Sequence, residues 1–548
     1  MDTTPKVFDA IVVGTGAAGG WAAQELTEGG MTVLALEAGR AIDKDVDFPE
    51  NLNRVEMSLW NRIGFAMRGQ AVQARHAGDQ FGSGLSHFYV NDRHNPYSTP
   101  GDAPFQWTRS RQVGGRMYTW ARVALRMSEK DFKRDDLDPS IGASWPLGYE
   151  DVAPYYSKVE KALGVIAHQD GLERVPDGEV IPDPPPVPAS NRIYAEMVKE
   201  RAGIEIIRSR VIQNNLDRIP IPLTKAEETG RFTLQPDSVV SHILIDGTTG
   251  KAKGVGYYDR VTKAYKEAMA GTVVLCASAF ESTRILLNSQ SSAHPDGIGA
   301  NSGVLGRYIH DHVLVAKGGG TSDEFVEMIK ASGEKYVAPA SDPYDLGAYT
   351  MYVPNIRDTM EGEFNFVGGY GIQTTAGPKN WMALLFGQML PRYENRVTLH
   401  PRRKDRWGIP IAHIDVRHSE NEDNMVAHMN ATAQHIADSL GFSLIDGGGR
   451  VRRGPQMLLY KWVLKQMVMQ KSGAMNPGTA IHETGGARMG SDPGKSVLNA
   501  YGQCWDVSNV YVTDGAAFPS NACQNHTLTI MALTVRACEH ILSENKHA

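Results

Sequence analysis

The feature that most constrains this chain is a glycine-rich turn near its start, inside the stretch VFDAIVVGTGAAGGWAAQELTEGG. The apolar run Val7–Val13 has the composition of a buried strand, and Gly14, Gly16 and Gly19 follow it in the spacing GxGxxG. Such glycines serve, in order, a tight turn, a close approach of backbone to a pyrophosphate, and close packing of the next helix. The pattern predicts a βαβ unit that binds a dinucleotide, with Ala18 in the first helical turn beside the phosphates.

A second strand and an acidic residue complete this unit. The apolar run Thr32–Leu36 ends at Glu37, where a carboxylate can accept hydrogen bonds from the hydroxyls of an adenosine ribose. The helix between the strands would offer its free N–H groups and positive end to phosphate. The alternative is an ordinary βαβ turn with incidental glycines, and the motif does not distinguish FAD from NAD.

Composition indicates a large globular protein. The chain has 548 residues, of which 41% are hydrophobic and 22% charged, and its net charge is −6. This balance gives no sign of a nucleic-acid partner or of an anionic membrane surface. We expect more than one domain with a sizeable core.

Cysteine usage and the N-terminus bear on the compartment. Cys276, Cys504, Cys523 and Cys538 form no CxxC pair, so we expect free thiols. No apolar run reaches the length of a membrane span, and the start of the chain shows no signal-peptide pattern. A cytoplasmic protein is the expectation, with export alongside a signal-bearing partner as the alternative.

The C-terminal block resembles the signature of the glucose–methanol–choline (GMC) oxidoreductases. The matching positions are His482, Gly485–Gly490, Asp492 with Pro493, Val512–Gly515 and Asn525–Thr529. Further matching segments are QVGGRMYTWARVALRMSEKDF, WPLGYEDVAPYYSKVEKALGV, GTVVLCASAFESTRILLNS and NRVTLHPRRKDRWGIPI. They follow the family's order along nearly the whole chain, and the resemblance implies that the dinucleotide is FAD.

The resemblance also implies the architecture, an α/β Rossmann-type FAD domain interleaved with a substrate domain on an antiparallel sheet. We assign residues 1–165, 206–312 and 472–548 to the FAD domain. Residues 166–205 include a Pro-rich stretch read as a loop or lid, and residues 313–471 form the substrate domain. The strand-like runs FNFVGGYGIQ, WMALLFGQML, NRVTLHP and IPIAHIDVRH predict its sheet, and NEDNMVAHMNATAQHIADSLG predicts a covering helix.

In the family a His from one segment and a His or Asn from the last segment face the flavin. His482 matches the first, and Asn525 matches the second if Thr527 and Thr529 are kept in register. A shift by one residue would make the pair His482 and His526. A core histidine and a helix cap are the structural alternatives for His482 and Asn525.

This pair suits alcohol oxidation. A neutral His accepts the hydroxyl proton near physiological pH, and an amide can orient the same hydroxyl. Thr527 begins a predicted helix whose N-terminus would stabilise negative charge on the reduced flavin.

The resemblance assigns further cofactor contacts. Gly114 and Gly115 would lie against the flavin, Asp514 would bind the ribityl chain, and Gly515 would lie near the pyrophosphate. Some relatives link the flavin to a His after these glycines; Thr119 stands at the nearest position here, so we expect non-covalent FAD.

Other assignments are less specific. Val239 or Val240 would contact the adenine through backbone groups, unless they are only strand core. Polar sugar contacts are expected from Gln388 and Arg392, with a solvated strand face as the alternative.

His310 and His312 match a family stretch and are interpreted as structural. No further ligands lie at zinc spacing, so we expect no metal site.

The implied function is FAD-dependent oxidation of a secondary hydroxyl of a sugar or glycoside. The segments around GGRMYTWARVALRMSEKDF and WPLGYEDVAPYYSKVE are most similar to glucoside 3-dehydrogenases and to members that oxidise pyranoses or C-glycosides. C3 is the expected carbon, with a C2-specific pyranose oxidase using O2, a flavin-containing lyase and a flavin-carrying subunit as alternatives. Electrons would pass to O2, a quinone or a cytochrome subunit, and a small partner subunit is an option.

Overall fold

The computed structural model describes residues 7–47, 67, 86–133, 144–182, 184–212, 220–334, 351–353, 359–360, 364–446, 470 and 472–547. Its α-helices are α1 (Ala17–Glu28), α2 (Lys44–Asp47), α3 (Glu129–Phe132), α4 (Tyr149–Leu163), α5 (Ala189–Met197), α6 (Ile221–Glu228), α7 (Ala279–Asn288), α8 (Asp323–Ala331), α9 (Glu420–Leu440) and α10 (Thr527–His547).

Its strands up to residue 319 are β1 (Val7–Val13), β2 (Val33–Leu36), β3 (Val165–Ile166), β4 (Ile207–Arg208), β5 (Val211–Ile212), β6 (Phe232–Gln235), β7 (Ser238–Ile245), β8 (Ala252–Asp259), β9 (Tyr265–Leu275) and β10 (His312–Gly319). The later strands are β11 (Met351–Val353), β12 (Thr359–Met360), β13 (Phe366–Val367), β14 (Tyr370–Ala376), β15 (Trp381–Gln388), β16 (Arg396–Lys404), β17 (Pro410–Asp415), β18 (Ile445–Asp446) and β19 (Val510–Val512).

The first sheet contains the predicted βαβ unit at its centre. Its order is β6-β2-β1-β9-β8-β7, and β19 pairs with β9. In β1, Ala10 lies opposite Val33 of β2 and Thr272 of β9, both in parallel register. Ile11 and Val12 of β1 are fully buried, because helices and neighbouring chain cover both faces of a parallel sheet. The carboxyl ends of β1, β2, β9 and β19 therefore meet at one edge.

The second sheet is mainly antiparallel, with the order β18-β10-β15-β14-β11-β4. Helix α9 packs on β15 at Gly387, where an added Cβ would lie 2.5 Å from side-chain atoms of Met425 and Met429. Gly387 is therefore a position at which backbone and helix approach closely. The predicted combination of a Rossmann-type domain and an antiparallel sheet under a helix is confirmed.

Three details differ from the expected organisation. Strands β16 and β17 pair only with each other among the described strands, so the runs NRVTLHP and IPIAHIDVRH form a separate hairpin. Strand β4, expected in the FAD domain, pairs with β11 in the second sheet. The segment expected as a loop or lid contains α5, where the Tyr194 hydroxyl lies 2.9 Å from that of Thr374 on β14. Packing against the sheet gives this segment a helix that its prolines alone do not suggest.

The two sheets are joined next to the start of β10. His310 forms an antiparallel bridge with Thr484, and its neighbour His312 begins β10 opposite Gln388 of β15. The segment around Thr484 thus contacts the chain where the second sheet begins. No helix of the described residues combines the length and hydropathy required to cross a bilayer.

Candidate active site

The glycine-rich turn lies at the carboxyl end of β1 and has one open side. Gly14 adopts φ +94°, and an added Cβ would lie 2.5 Å from the Cys276 carbonyl oxygen at the end of β9. At Gly19 it would lie 1.8 Å from the Gly14 carbonyl oxygen, so the helix packs directly on the turn. At Gly16 an added Cβ would meet nothing within 4 Å. The backbone of Gly16 therefore borders space of the kind that a pyrophosphate requires.

Glu37 is held at the end of β2 by three hydrogen bonds. Its Oε2 accepts from Thr15 N at 3.0 Å and from the Thr15 hydroxyl at 2.7 Å, and its Oε1 accepts from Gly39 N at 2.9 Å. Burial raises the pKa of the Glu37 carboxyl, which the hydrogen bonds from Thr15 oppose. Two carboxylate oxygens offer about four acceptor positions. The carboxylate thus retains capacity for a ribose hydroxyl.

The loop with Gly114 and Gly115 lies across this turn. Gly114 N donates to the Thr15 hydroxyl at 3.1 Å, and a Cβ on Gly115 would lie 3.1 Å from the Cα of Gly16. Both glycines have positive φ, +87° and +51°, which this close crossing requires. Thr119 directly follows the short 3₁₀ turn Gly115–Tyr118.

Asp514 closes the same edge after β19. It accepts from Ser278 N at 2.9 Å, from the Ser282 hydroxyl, and from Ala516 N at 2.9 Å. Burial raises the pKa of the Asp514 carboxyl to about 6. A Cβ on Gly515 would lie 3.1 Å from the Thr484 side chain, so backbone segments meet closely here.

Val239 and Val240 both lie near the end of β2, and the structure does not decide which of them would contact the adenine. Val239 packs with Trp407 and Ile409 beside Ala38, which follows Glu37 in the chain. Val240 is 8% exposed and lies opposite Tyr257 in β8. The glycine turn, Glu37 and Asp514 surround one sheet edge, and together they fit an FAD molecule.

The candidate catalytic pair forms a direct contact. His482 Nε2 lies 3.2 Å from Asn525 Nδ2, and Gln373 Nε2 donates to Asn525 Oδ1 at 2.7 Å. His482 is only partly buried, whereas His312 and His526 are 2% and 3% exposed. An accessible edge is what a base that meets a substrate requires.

The neighbours of Asn525 point elsewhere. Gln524 Nε2 donates to the Arg174 carbonyl at 2.8 Å. The ring of His526 packs between those of His312 and Phe518, at 4.8 and 5.6 Å between centroids. Neither ring nitrogen of His526 makes a hydrogen bond of normal geometry with the described residues. The geometry therefore favours Asn525 over His526 as the neighbour of His482.

The backbone at His482 is held from both sides. Ile481 adopts φ +63°, a conformation that a β-branched residue rarely takes and that costs about 1–3 kcal/mol. Arg116 donates to the Ile481 carbonyl at 3.0 Å, and Asp311 Oδ1 accepts from His482 N at 3.0 Å. These contacts maintain the strained conformation, which sets where the imidazole stands.

Histidine 312 lies against the candidate base. Its Nδ1 is 2.7 Å from His482 Nδ1, and its Nε2 is 2.6 Å from the Ala522 carbonyl oxygen. Burial lowers the pKa of His312 to about 4, and burial also holds the pKa of His482 well below its usual value. Both imidazoles are therefore neutral at pH 7. Sequence reasoning gave His312 a structural role; the structure adds a contact with the site.

Gln388 and Arg392, which we expected to contact a sugar, bind other residues of the protein. Gln388 accepts from Gly369 N at 2.8 Å and donates to the Asn521 carbonyl at 2.8 Å. Arg392 forms an ion pair with Glu422 at 2.9 Å, at the N-terminus of α9. These contacts give both residues structural roles, because their polar groups join loops to helices and strands.

Gln373 is the residue that sequence reasoning missed. It is 6% exposed on β14 and holds the amide of Asn525. The only sequence signal is a glutamine within the strand-like run YGIQTTA, which also contains two threonines, and polar residues of this kind also occur in strands far from any active site. Within the described residues, no cluster of His, Cys, Asp or Glu has the arrangement of a metal site, and the four cysteines are free and buried.

Several proteins of known activity are similar to this chain in sequence. The chain is 26% identical to 2-methyl-1,2-propanediol dehydrogenase of Mycolicibacterium austroafricanum, over 99% of this chain and 96% of that protein. It is 24% identical to the fructose dehydrogenase large subunit of Gluconobacter japonicus, over 98% of each. It is 23% identical to C-glycoside 3-oxidase of Arthrobacter globiformis, over 79% of this chain and 74% of that protein.

A solved structure of formate oxidase from Aspergillus oryzae, from work on FAD modification in that protein, has the same fold. Its TM-score is 0.67 at 15% identity, over 100% of both chains. Two sequence models described as GMC oxidoreductase match residues 223–314 and 391–534. These ranges include β9, Asp514 and the segments that carry His482 and Asn525, so the chain contains the N- and C-terminal GMC oxidoreductase domains and is an FAD-dependent oxidoreductase that acts on alcohol groups.

Proposed function

We propose that this enzyme oxidises a secondary hydroxyl of a sugar or glycoside at C3 and gives a 3-keto product. The observation that carries the proposal is the contact of 3.2 Å between His482 Nε2 and Asn525 Nδ2 at the start of α10. The C3 position is supported by the segment GGRMYTWARVALRMSEKDF and by the similarity to a protein named C-glycoside 3-oxidase.

The residues of the pair divide the work of alcohol oxidation. His482 is neutral because burial lowers its pKa, so it accepts the hydroxyl proton. Asn525 donates from Nδ2 to the same oxygen and orients the C–H bond, and orientation supplies a large part of catalysis. FAD, when bound, supplies the hydride acceptor.

The surrounding chain supports this chemistry in two ways. Helix α10 begins at Thr527, and its first N–H groups and positive end favour negative charge that develops nearby. Gln373 holds the Asn525 amide, so that Nδ2 rather than Oδ1 points to His482. The pair is thus preorganised before a substrate arrives.

The product distinguishes C3 oxidation from its rivals. Purified enzyme is mixed anaerobically with glucose, 2-deoxyglucose, 3-deoxyglucose, a methyl glucoside, 1,2-propanediols and simple alcohols. The yellow flavin is followed while products are analysed by NMR. We expect 2-deoxyglucose to bleach the flavin and 3-deoxyglucose to leave it oxidised. The reverse pattern would assign C2. Bleaching by 1,2-propanediols alone would refute the sugar proposal, and no bleaching by any alcohol would point to a lyase or a flavin carrier.

Two further features belong to this proposal. Thr119 offers no imidazole for a flavin link, so FAD is held non-covalently. Acid precipitation followed by filtration should leave the yellow colour in the filtrate; colour retained by the precipitate would contradict this.

The electron acceptor is O2, a quinone or a cytochrome subunit, and rapid mixing of the reduced enzyme with O2 and with a quinone separates the first two.

A further inference from the structure

Three hydrogen-bonding contacts form a chain behind the candidate base. The Ala522 carbonyl oxygen lies 2.6 Å from His312 Nε2, and His312 Nδ1 lies 2.7 Å from His482 Nδ1. The other nitrogen of His482, Nε2, faces Asn525 Nδ2 at 3.2 Å. The rings of His312 and His482 are nearly perpendicular, at 87°.

The donors in this chain follow from valence. A carbonyl oxygen only accepts, so the hydrogen at the Ala522 contact is on His312 Nε2. Burial keeps both imidazoles neutral, so each carries one ring hydrogen. His312 Nδ1 therefore carries no hydrogen and accepts with its lone pair. The hydrogen between the two rings is on His482 Nδ1.

We propose that His312 is a positioning residue that locks His482 in the tautomer with hydrogen on Nδ1. The lone pair of His482 is then on Nε2, toward Asn525 and the substrate. The inference rests on the proposed function, in which His482 is the base. With the opposite tautomer His482 would present N–H to the hydroxyl and would have no lone pair to accept the proton.

Asp311 holds the backbones of His312 and His482 next to each other. Its Oδ1 accepts from the backbone N of His312 at 2.7 Å and of His482 at 3.0 Å. One carboxylate oxygen thus binds the backbones of both histidines, which are 170 positions apart in the chain.

The lock also has a direction. When His482 accepts a proton on Nε2, its Nδ1–H still donates to the lone pair of His312. His312 cannot pass a proton further, because its Nε2–H faces the Ala522 carbonyl. The positive charge gained from the substrate proton therefore moves no further than the pair His482 and His312.

A matched pair of variants tests the lock. In His312→Asn, the amide oxygen reaches the position of Nδ1 and can accept from His482. In His312→Gln, the amide reaches the position of Nε2 and can still donate to Ala522 O, but no acceptor remains at the Nδ1 position. We expect flavin reduction within about tenfold of wild type for His312→Asn, and a loss of about a hundredfold or more for His312→Gln, the range that general-base catalysis spans.

A spectroscopic measurement separates the lock from a merely structural role. The enzyme is labelled with ¹⁵N-histidine, and the His482 ring signals are assigned by their loss in His482→Gln. We expect a protonated Nδ1 and an unprotonated Nε2 on His482 in the wild type, and a mixture of tautomers in His312→Gln with FAD still bound.

The outcomes are distinct. Hydrogen on His482 Nε2 in the wild type overturns the lock whatever the rates, and so do equal losses in the two folded, FAD-containing variants. A normal rate of flavin reduction in His482→Ala would instead refute His482 as the base, while the tautomer signal would still report the lock.

Discussion

At the scale of single residues, the side chain of Asn525 is held in one orientation beside His482. Its Nδ2 faces His482 and its Oδ1 is occupied by Gln373, so the amide cannot rotate without breaking both contacts. The adjacent His526 is packed among rings behind the site. Both residues therefore lie near His482, but only Asn525 directs a polar group to its ring nitrogen.

Two alanine variants test this assignment. Asn525→Ala should slow flavin reduction by about tenfold to a hundredfold, because the reacting hydroxyl loses its orienting donor. His526→Ala should reduce the rate little while lowering thermal stability, since it removes a buried ring. Stopped-flow bleaching at equal FAD content measures both. A severe loss in His526→Ala beside a normal rate in Asn525→Ala would make the catalytic pair two histidines.

Gln373 allows a finer test of preorganisation. Gln373→Leu removes the donor to Asn525 Oδ1, and the net value of one hydrogen bond predicts about a threefold to tenfold slower reduction. The dissociation constant for the sugar should change less than the limiting rate, if Gln373 acts through Asn525. A variant that loses sugar affinity alone would show that Gln373 contacts the sugar directly.

At the scale of elements, the βαβ turn separates folding from cofactor binding. Gly19 lies where helix α1 meets the turn, whereas Gly16 faces open space. The same motif therefore contains one glycine needed for the protein's own packing and one needed for its ligand. The strand ends around them place Glu37 and Asp514 at the same edge.

Matched glycine variants check this division. Gly16→Ala should fold but lose most of its FAD, because the added methyl group occupies space that the pyrophosphate needs. Gly19→Ala should fail to fold or melt far lower even with excess FAD, because its Cβ would lie 1.8 Å from the Gly14 carbonyl oxygen. Circular dichroism melts and the ratio of flavin to protein absorbance are the measurements. Full FAD occupancy in a stable Gly16→Ala protein would contradict the assignment.

At the scale of the whole molecule, the site is a cluster of histidines and carboxyls that lies where the two sheets meet. Burial lowers the pKa of His310 and His312 to about 4, and holds those of His482 and His526 well below the usual value. Burial raises the pKa of Asp311 to about 7 and that of Asp514 to about 6. These opposite shifts make stability depend on pH.

The direction of this pH dependence follows from how many protons the folded and the unfolded chain bind. Below about pH 6.5 the unfolded chain binds protons on these four histidines, whereas burial lowers the pKa of each of them in the folded chain. The two aspartates act in the opposite sense, but the histidines outnumber them, so the contribution of the site to the free energy of unfolding should fall as the pH drops below about 6.5. Urea unfolding at constant excess FAD measures this dependence. His526→Gln should weaken it, and a wild-type dependence that is unchanged in His526→Gln would refute the prediction.

Much of the fold was predictable from sequence, and so were two residues of the candidate site. The GxGxxG spacing determined the nucleotide turn, because only glycine tolerates φ +94° at Gly14 and the contact at Gly19. Short apolar runs predicted β14 and β15, which are buried along most of their length, and apolar residues at helical spacing predicted α9, which buries one face. His482 and Asn525 followed from local motifs that resemble a known family.

Only the tertiary structure decided which polar groups meet. The contacts of Gln373 with Asn525 and of His312 with His482 join residues 152 and 170 positions apart, and no local pattern encodes such pairs. The left-handed Ile481 and the internal partners of Gln388 and Arg392 have the same origin. Backbone preference and burial act over a few residues, whereas hydrogen-bond partners and tautomers depend on atoms that only the folded chain brings within about 3 Å of each other.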